Sequence, residues 1–148
     1  MRFEQVRDAL HHVESFHRQL SAFYQSSAER KVEGKEKMLL DYMAQHEMDL
    51  SDDLKKYEDG APNRILDGWF QYADDDNLLK FSDKAELENV EDIVAISLEC
   101  GEKLISLLND FADNADTPDL KEVFSNMAQM QAKEQRKLSM NVDRMTEL

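Results

Sequence analysis

Four side chains that can bind a metal or exchange a proton occupy positions where helices usually place apolar residues. His17 and His46 lie on apolar stripes in the first third of the chain, and Gln131 and Glu134 lie on another near its end. Imidazole nitrogens and a carboxylate oxygen are ligands of Zn²⁺ and of non-haem Fe²⁺. His17, His46 and Glu134 could therefore hold a single Zn or Fe ion.

The same four side chains could instead form a hydrogen-bonded layer inside a helical protein. Glu134 would accept from one or both imidazoles, and Gln131 can donate and accept. Such a layer holds the helices in register, because a shift of one helix along another would leave each buried polar group without a hydrogen-bond partner, at a cost of about 1–3 kcal/mol. We favour this interpretation, in which no cofactor is expected.

Apolar residues recur at spacings of three and four along four segments, which predicts four long helices at about residues 3–30, 33–57, 87–114 and 118–146. The chain of 148 residues contains only four Gly and two Pro, so few residues interrupt these helices. In the turn before the last helix, Thr117 is expected to cap the helix and Pro118 to occupy its first position. The expected inward face of the first helix is Val6, Leu10, Val13, His17, Leu20, Tyr24 and Ser27, and that of the second is Leu39, Met43, His46, Leu50, Leu54 and Tyr57.

A crossover at residues 58–86 separates the two pairs of helices. It contains Gly60 and Pro62, a predicted short helix over RILDGWFQY, and the acidic run Asp74 to Asp76. The acidic run lacks the glycine and the ladder of ligand oxygens of a calcium loop. Short turns make each pair of helices an antiparallel hairpin, so residues 1–148 are predicted to form one helical-bundle domain.

Two hairpins, a long crossover, and polar side chains at the centre of all four helices resemble the ferritin-like superfamily, and most closely its rubrerythrin-type members. The resemblance implies an all-α ferritin-like four-helix bundle. It also implies a site for two iron or manganese ions, built from a Glu on the first and third helices and Glu-x-x-His on the second and fourth. The corresponding positions here are His17, Met43 with His46, Gly101, and Gln131 with Glu134.

These positions carry too little negative charge for two metal ions. A pair of divalent cations in a core needs bridging carboxylates as ligands and as counter-charge, and Glu134 alone supplies one. We therefore expect a degenerate di-metal site and a non-enzymatic protein that acts through self-association or a protein partner. The alternative is a mononuclear Zn/Fe protein or oxidoreductase that uses His17, His46 and Glu134.

Charge and hydropathy limit the partners. Against 32 Asp+Glu the chain has 18 Lys+Arg, a formal charge of −14, which repels nucleic acid and anionic lipid. No segment approaches the roughly 20 apolar residues of a membrane span, and the first residues do not resemble a signal peptide, so a cytoplasmic protein is expected. Phe16, Phe23 and Trp69 are extra apolar residues that favour a homodimer.

Three further features allow two interpretations each. His11 and His12 could bind a surface metal together with Glu14, or they could be exposed histidines without a ligand. Cys100, the only cysteine, could be a nucleophile or a buried, inert thiol, and we expect the inert thiol. The methionines of the last helix, Met127, Met130, Met140 and Met145, are either core filler or an adaptable contact surface.

Overall fold

A computed structural model describes residues 2–31, 33–72 and 86–146. These residues form helices and one small sheet, so the predicted all-helical class is confirmed. The elements in chain order are β1 (Arg2–Gln5), α1 (Val6–Glu29), α2 (Lys35–Gly60), α3 (Asn63–Leu66), β2 (Trp69–Tyr72), α4 (Val90–Asp113) and α5 (Pro118–Thr146).

Helices α1 and α2 form a closely packed antiparallel hairpin. The backbone before α2 turns at Gly34, whose φ of 106° is a value that residues with a side chain rarely adopt. Small side chains at the interface let the two helices approach each other closely. Ser21 Oγ donates to the Ala44 carbonyl at 2.6 Å, and Ser51 Oγ donates to the Glu14 carbonyl at 3.3 Å.

Helices α4 and α5 form the second hairpin, and side-chain caps define where they begin. Asn89 Oδ1 accepts from the Asp92 amide at 2.9 Å at the start of α4. Thr117 Oγ1 accepts from the Leu120 amide at 3.3 Å, and Pro118 is the first residue of α5. The predicted cap and first position of this helix are therefore confirmed.

A two-stranded antiparallel sheet closes one end of the molecule. β1 pairs with β2 in the register Glu4 to Phe70. The Phe70 ring is fully buried, with its centroid 4.8 Å from that of Phe111 and 4.9 Å from that of Phe124. This aromatic cluster attaches the crossover to both helices of the second hairpin.

The prediction of a short helix over RILDGWFQY is wrong for most of this segment. Only Asn63–Leu66 of this region is helical, and Trp69–Tyr72 is a strand. Aromatic residues favour a strand when a partner backbone is available, and here the partner is the N-terminal segment. For the same reason α1 begins at Val6 and not near residue 3. The acidic run Asp74 to Asp76 lies outside the described residues.

The inward face predicted for α1 is buried along its whole length, but the face of α2 is rotated from the prediction. Leu39 and Met43 are buried as expected. Further along α2, Glu47 and Ser51 are buried, whereas His46 is half-buried and Tyr57 is exposed. Close packing against α1 turns the Glu47 side of α2 inward and leaves the His46 side facing α5.

Two further predictions concern a homodimer surface and a membrane-spanning segment. Phe16 and Phe23, which were expected to contribute to a homodimer surface, are buried inside the chain, whereas Trp69 is 56% exposed. No helix within the described ranges is both long and apolar enough to cross a membrane.

The aromatic cluster predicts a large difference between two neighbouring substitutions. Phe70→Ala should lower the free energy of unfolding by about 3–5 kcal/mol, because it empties a closely packed site. Trp69→Ala removes a mostly exposed ring and should cost less than about 1 kcal/mol. Urea denaturation of both variants measures this difference, and equal losses would mean that Phe70 does not hold the crossover in place.

Candidate functional site

A buried histidine–glutamate pair connects α1 and α2 at the centre of the first hairpin. His17 Nδ1 lies 2.5 Å from Glu47 Oε2, and the side chains are only 4% and 8% exposed. The imidazole N–H donates to the carboxylate, which satisfies one polar atom on each side chain. The sequence reasoning missed Glu47. Its spacing of four from Ser51, on a stripe beside the apolar one, is the signal that could have identified it.

His46 and Glu134 face each other more loosely across α2 and α5. Their Nε2 and Oε2 atoms are 3.9 Å apart, which is too far for a hydrogen bond, and the side chains are 16% and 29% exposed. The His46 ring stacks on Tyr42 with centroids 6.1 Å apart. The Tyr42 hydroxyl in turn accepts from Asn141 Nδ2 at 2.9 Å, which joins α2 to α5. Glu134 was expected to accept from one or both imidazoles, but the partner of His17 is Glu47 and the contact of Glu134 with His46 is too long for a hydrogen bond.

The predicted polar residues do line one small cavity. Its volume is about 10 Å³, and its lining includes His17, His46, Glu47, Gln131 and Glu134. A space of this size holds at most one water molecule. Glu47 adds a second carboxylate to the layer, but two carboxylates remain too few for a pair of divalent cations. The residues present do not fit a di-metal centre.

Gly101 explains how α4 and α5 approach each other beside this cavity. A Cβ at Gly101 would lie 1.7 Å from Gln135 Nε2, so the missing side chain makes room for the amide. This Nε2 atom is buried and has no hydrogen-bond partner within the described part of the chain. Gly101 is the position at which the ferritin-like resemblance implies a metal-binding Glu on the third long helix. In this structure the side chain of Gln135 fills the space beside it.

An elongated groove of about 510 Å³ lies between α2 and α5, next to the polar layer. Its floor includes Val13 of α1 and Leu108 of α4, and its walls include Leu54 of α2 and Met127 of α5. His17, Gln131 and Glu134 lie at its inner end and belong to both cavities. Met130, which is 66% exposed, lies at its edge.

Acidic side chains surround this groove. Asp53, Asp119, Glu122 and Glu134 all contribute to its lining. Among the described residues of that lining, Arg64 is the one lysine or arginine, and its Nη1 donates to Asp119 Oδ2 at 2.8 Å. The groove is therefore apolar in its interior, and the charged side chains along it are mainly acidic.

A second group of titratable side chains lies elsewhere on the first hairpin. His11 Nε2 is 2.6 Å from Glu58 Oε1, and Glu14 is only 6% exposed beside them. His12 turns away from this group and contacts Glu4 Oε1 at 3.2 Å. Burial raises the pKa of the Glu14 carboxyl, and the negative charge of Glu58 raises it further.

Cys100 is 1% exposed in the core beside the polar layer. Burial raises the pKa of its thiol to about 12, with a smaller contribution from the charge of Glu99. A thiol with this pKa is protonated at neutral pH and is a poor nucleophile.

The two histidine–glutamate contacts predict unequal effects of removing the carboxylate. Glu47→Ala should lower the free energy of unfolding by about 3–5 kcal/mol, because it leaves a buried imidazole without its partner. Glu134→Ala breaks a longer and more exposed contact and should cost less than about 1 kcal/mol. Chemical denaturation at pH 7 compares them, and a larger loss for Glu134→Ala would contradict the observed pairing.

The raised pKa of Glu14 predicts a stabilising substitution. An acid whose pKa is higher in the folded than in the unfolded state favours unfolding once the pH exceeds the unfolded value of about 4.3. Glu14→Gln should therefore raise the free energy of unfolding near pH 7, and the gain should disappear below about pH 4. Glu102→Gln, at an exposed position of α4, serves as the control. A gain that is independent of pH would exclude this electrostatic cause.

Comparison with protein-family models, with curated proteins and with solved structures gave no significant match.

Proposed function

We propose that this chain is a non-enzymatic binding protein of ferritin-like architecture, with a degenerate di-metal site. Its groove between α2 and α5 binds the apolar face of a basic amphipathic helix from a partner protein. The observation that carries this proposal is the apolar groove of about 510 Å³ with acidic side chains around it.

The ferritin-like part of the proposal is supported by the order of the elements and by the polar layer. Two antiparallel hairpins, α1 with α2 and α4 with α5, are separated by residues 61–89. Histidine, glutamate and glutamine side chains from α1, α2 and α5 line one cavity, with Gly101 of α4 beside them. Ferritin-like proteins place their metal ligands at this level of the bundle.

The shape of the groove favours a helix as its occupant. Its lining runs along α5 from Asp119 to Glu134, which at about 1.5 Å per residue corresponds to roughly 22 Å. This length matches about four turns of a bound helix, with apolar side chains at spacings of three and four directed into the groove. Met127 and Met130 are unbranched and polarisable, so they adapt to side chains of different shape.

The charge of the groove decides which kind of helix fits. Asp53, Asp119, Glu122 and Glu134 outnumber Arg64 among the described residues of the lining, and the whole chain has a formal charge of −14. Lysine and arginine flanking the apolar face of the partner would meet these carboxylates and speed association. A second copy of this chain would bring its own acidic surface, so the predicted homodimer is expected to use another face.

A synthetic helix tests this function directly. A peptide of about 15 residues, with leucine on one face and lysine elsewhere, spans the length of the groove. We expect calorimetry to detect one peptide per chain, with an affinity that falls as salt is added. A peptide with glutamate at the lysine positions should bind at least about tenfold more weakly.

Two methionines of α5 provide a matched pair of variants. Met130→Lys places a positive charge at the edge of the groove and should weaken the basic peptide by at least about tenfold, which is about 1.4 kcal/mol. Met140 is similarly exposed on the same helix but lies outside the groove lining, so Met140→Lys should change the affinity little. Equal effects of the two variants, or equal binding of the two peptides, would overturn the proposal.

The alternative function is a single Zn or Fe ion held by His17, His46 and Glu134. It is supported by the shared cavity that these three residues line. It would require His17 to exchange its contact with Glu47 for the ion, or to bind the ion through its other nitrogen.

A further inference from the structure

We propose that His11, Glu14 and Glu58 form a binding site for one divalent transition-metal ion, with Zn²⁺ as the reference ion. The site lies on the α1–α2 hairpin, and none of its three residues lines the groove or the polar layer. The proposal is independent of peptide binding.

The hairpin brings three ligand atoms together from two helices. His11 and Glu14 are three residues apart on α1, which places them on the same side of the helix. The antiparallel partner α2 contributes Glu58 from its last turn. One ligand atom from each residue lies within 4.8 Å of the other two, and of all the described residues only these form such a group of three. Ligands of one zinc ion lie about 3–4 Å apart, so small side-chain rotations complete the geometry.

Glu14 is the residue that points to a bound cation. Glu14 is buried, with only 6% of its surface exposed, yet its Oε1 has no hydrogen-bond partner in the described structure. A buried carboxylate oxygen without a partner is unfavourable, and such atoms are rare in folded proteins. A metal ion between Glu14, Glu58 and His11 would satisfy this oxygen and offset the repulsion between the two carboxylates.

The neighbouring arginines bind other groups. Arg7 Nη2 donates to Asp67 at 2.9 Å, and its Nη1 reaches Glu58 only at 4.0 Å. Arg18 Nε donates to Ser51 Oγ at 3.2 Å. Neither arginine is observed in an ion pair with Glu14. The positive charges of His11, Arg18 and Lys55 act on this carboxylate without a hydrogen bond to its Oε1, so an ion can supply a direct partner for that oxygen.

The surroundings leave room for the ion and its water ligands. His11, Glu14 and Glu58 line a solvent-open cavity of about 390 Å³, together with Ser15, Arg18 and Lys55. His11 is 54% exposed and can rotate toward an ion. One imidazole and two carboxylates are a donor set that Zn²⁺ accepts, and water would complete its coordination.

Calorimetry with zinc chloride alone, on the full chain after removal of metal by a chelator, tests this site. We expect one equivalent of Zn²⁺ per chain. Glu58→Gln and Glu14→Gln should each weaken binding at least about tenfold, because each removes an anionic ligand while keeping the shape of the side chain. Circular dichroism of each variant checks that the helices are retained.

Two control variants separate this site from its neighbours. His12→Gln changes an exposed histidine that contacts Glu4, one residue from His11, and should bind Zn²⁺ like the wild type. His46→Ala removes a ligand of the alternative site in the core and should also retain full affinity. Absence of zinc binding by the wild-type chain, an equal loss in His12→Gln, or a loss confined to His46→Ala would each overturn the proposal.

Discussion

The contact between His17 and Glu47 determines how the two helices of the first hairpin, α1 and α2, face each other. A buried imidazole and a buried carboxylate satisfy each other across α1 and α2, with Nδ1 and Oε2 2.5 Å apart. Because a carboxylate rarely stays buried without a partner, this pairing selects one rotation of α2 about its axis. His46 and Tyr57, on the adjacent side of α2, then face α5. The groove forms between these two helices.

Uneven packing of the helices creates the surfaces that are available for function. Serine hydroxyls bring α1 and α2 close together, and the Phe70, Phe111 and Phe124 rings fix the crossover against the second hairpin. At one end, α2 and α5 are linked through Tyr42 and Asn141. Beyond the contact between His46 and Glu134, apolar side chains of both helices line a groove instead of filling a core.

Negative charge in this protein is placed where it can attract cationic groups. Carboxylates surround the apolar groove between α2 and α5, and two more converge with His11 on the first hairpin. The second arrangement is unfavourable for the fold alone, because Glu14 is buried next to Glu58 and its pKa is raised. Natural proteins break such local rules mainly at functional sites. A basic helix and a divalent cation would each meet one of these acidic surfaces.

The sequence by itself determined the helices, the cap at Thr117, the inward face of α1 and the common level of His17, His46 and Glu134. Each of these depends on residues a few positions apart, where helical periodicity and capping act. Tertiary structure decided that Glu47 and not Glu134 pairs with His17, that the first residues form a strand with Trp69–Tyr72, and that Glu58 joins His11 and Glu14. His17 and Glu47 are 30 residues apart, and His11 and Glu58 are 47 apart. Contacts at such separations in sequence depend on how far one helix rotates against its neighbour, and that rotation is set by packing across the whole hairpin together with the buried pair of His17 and Glu47.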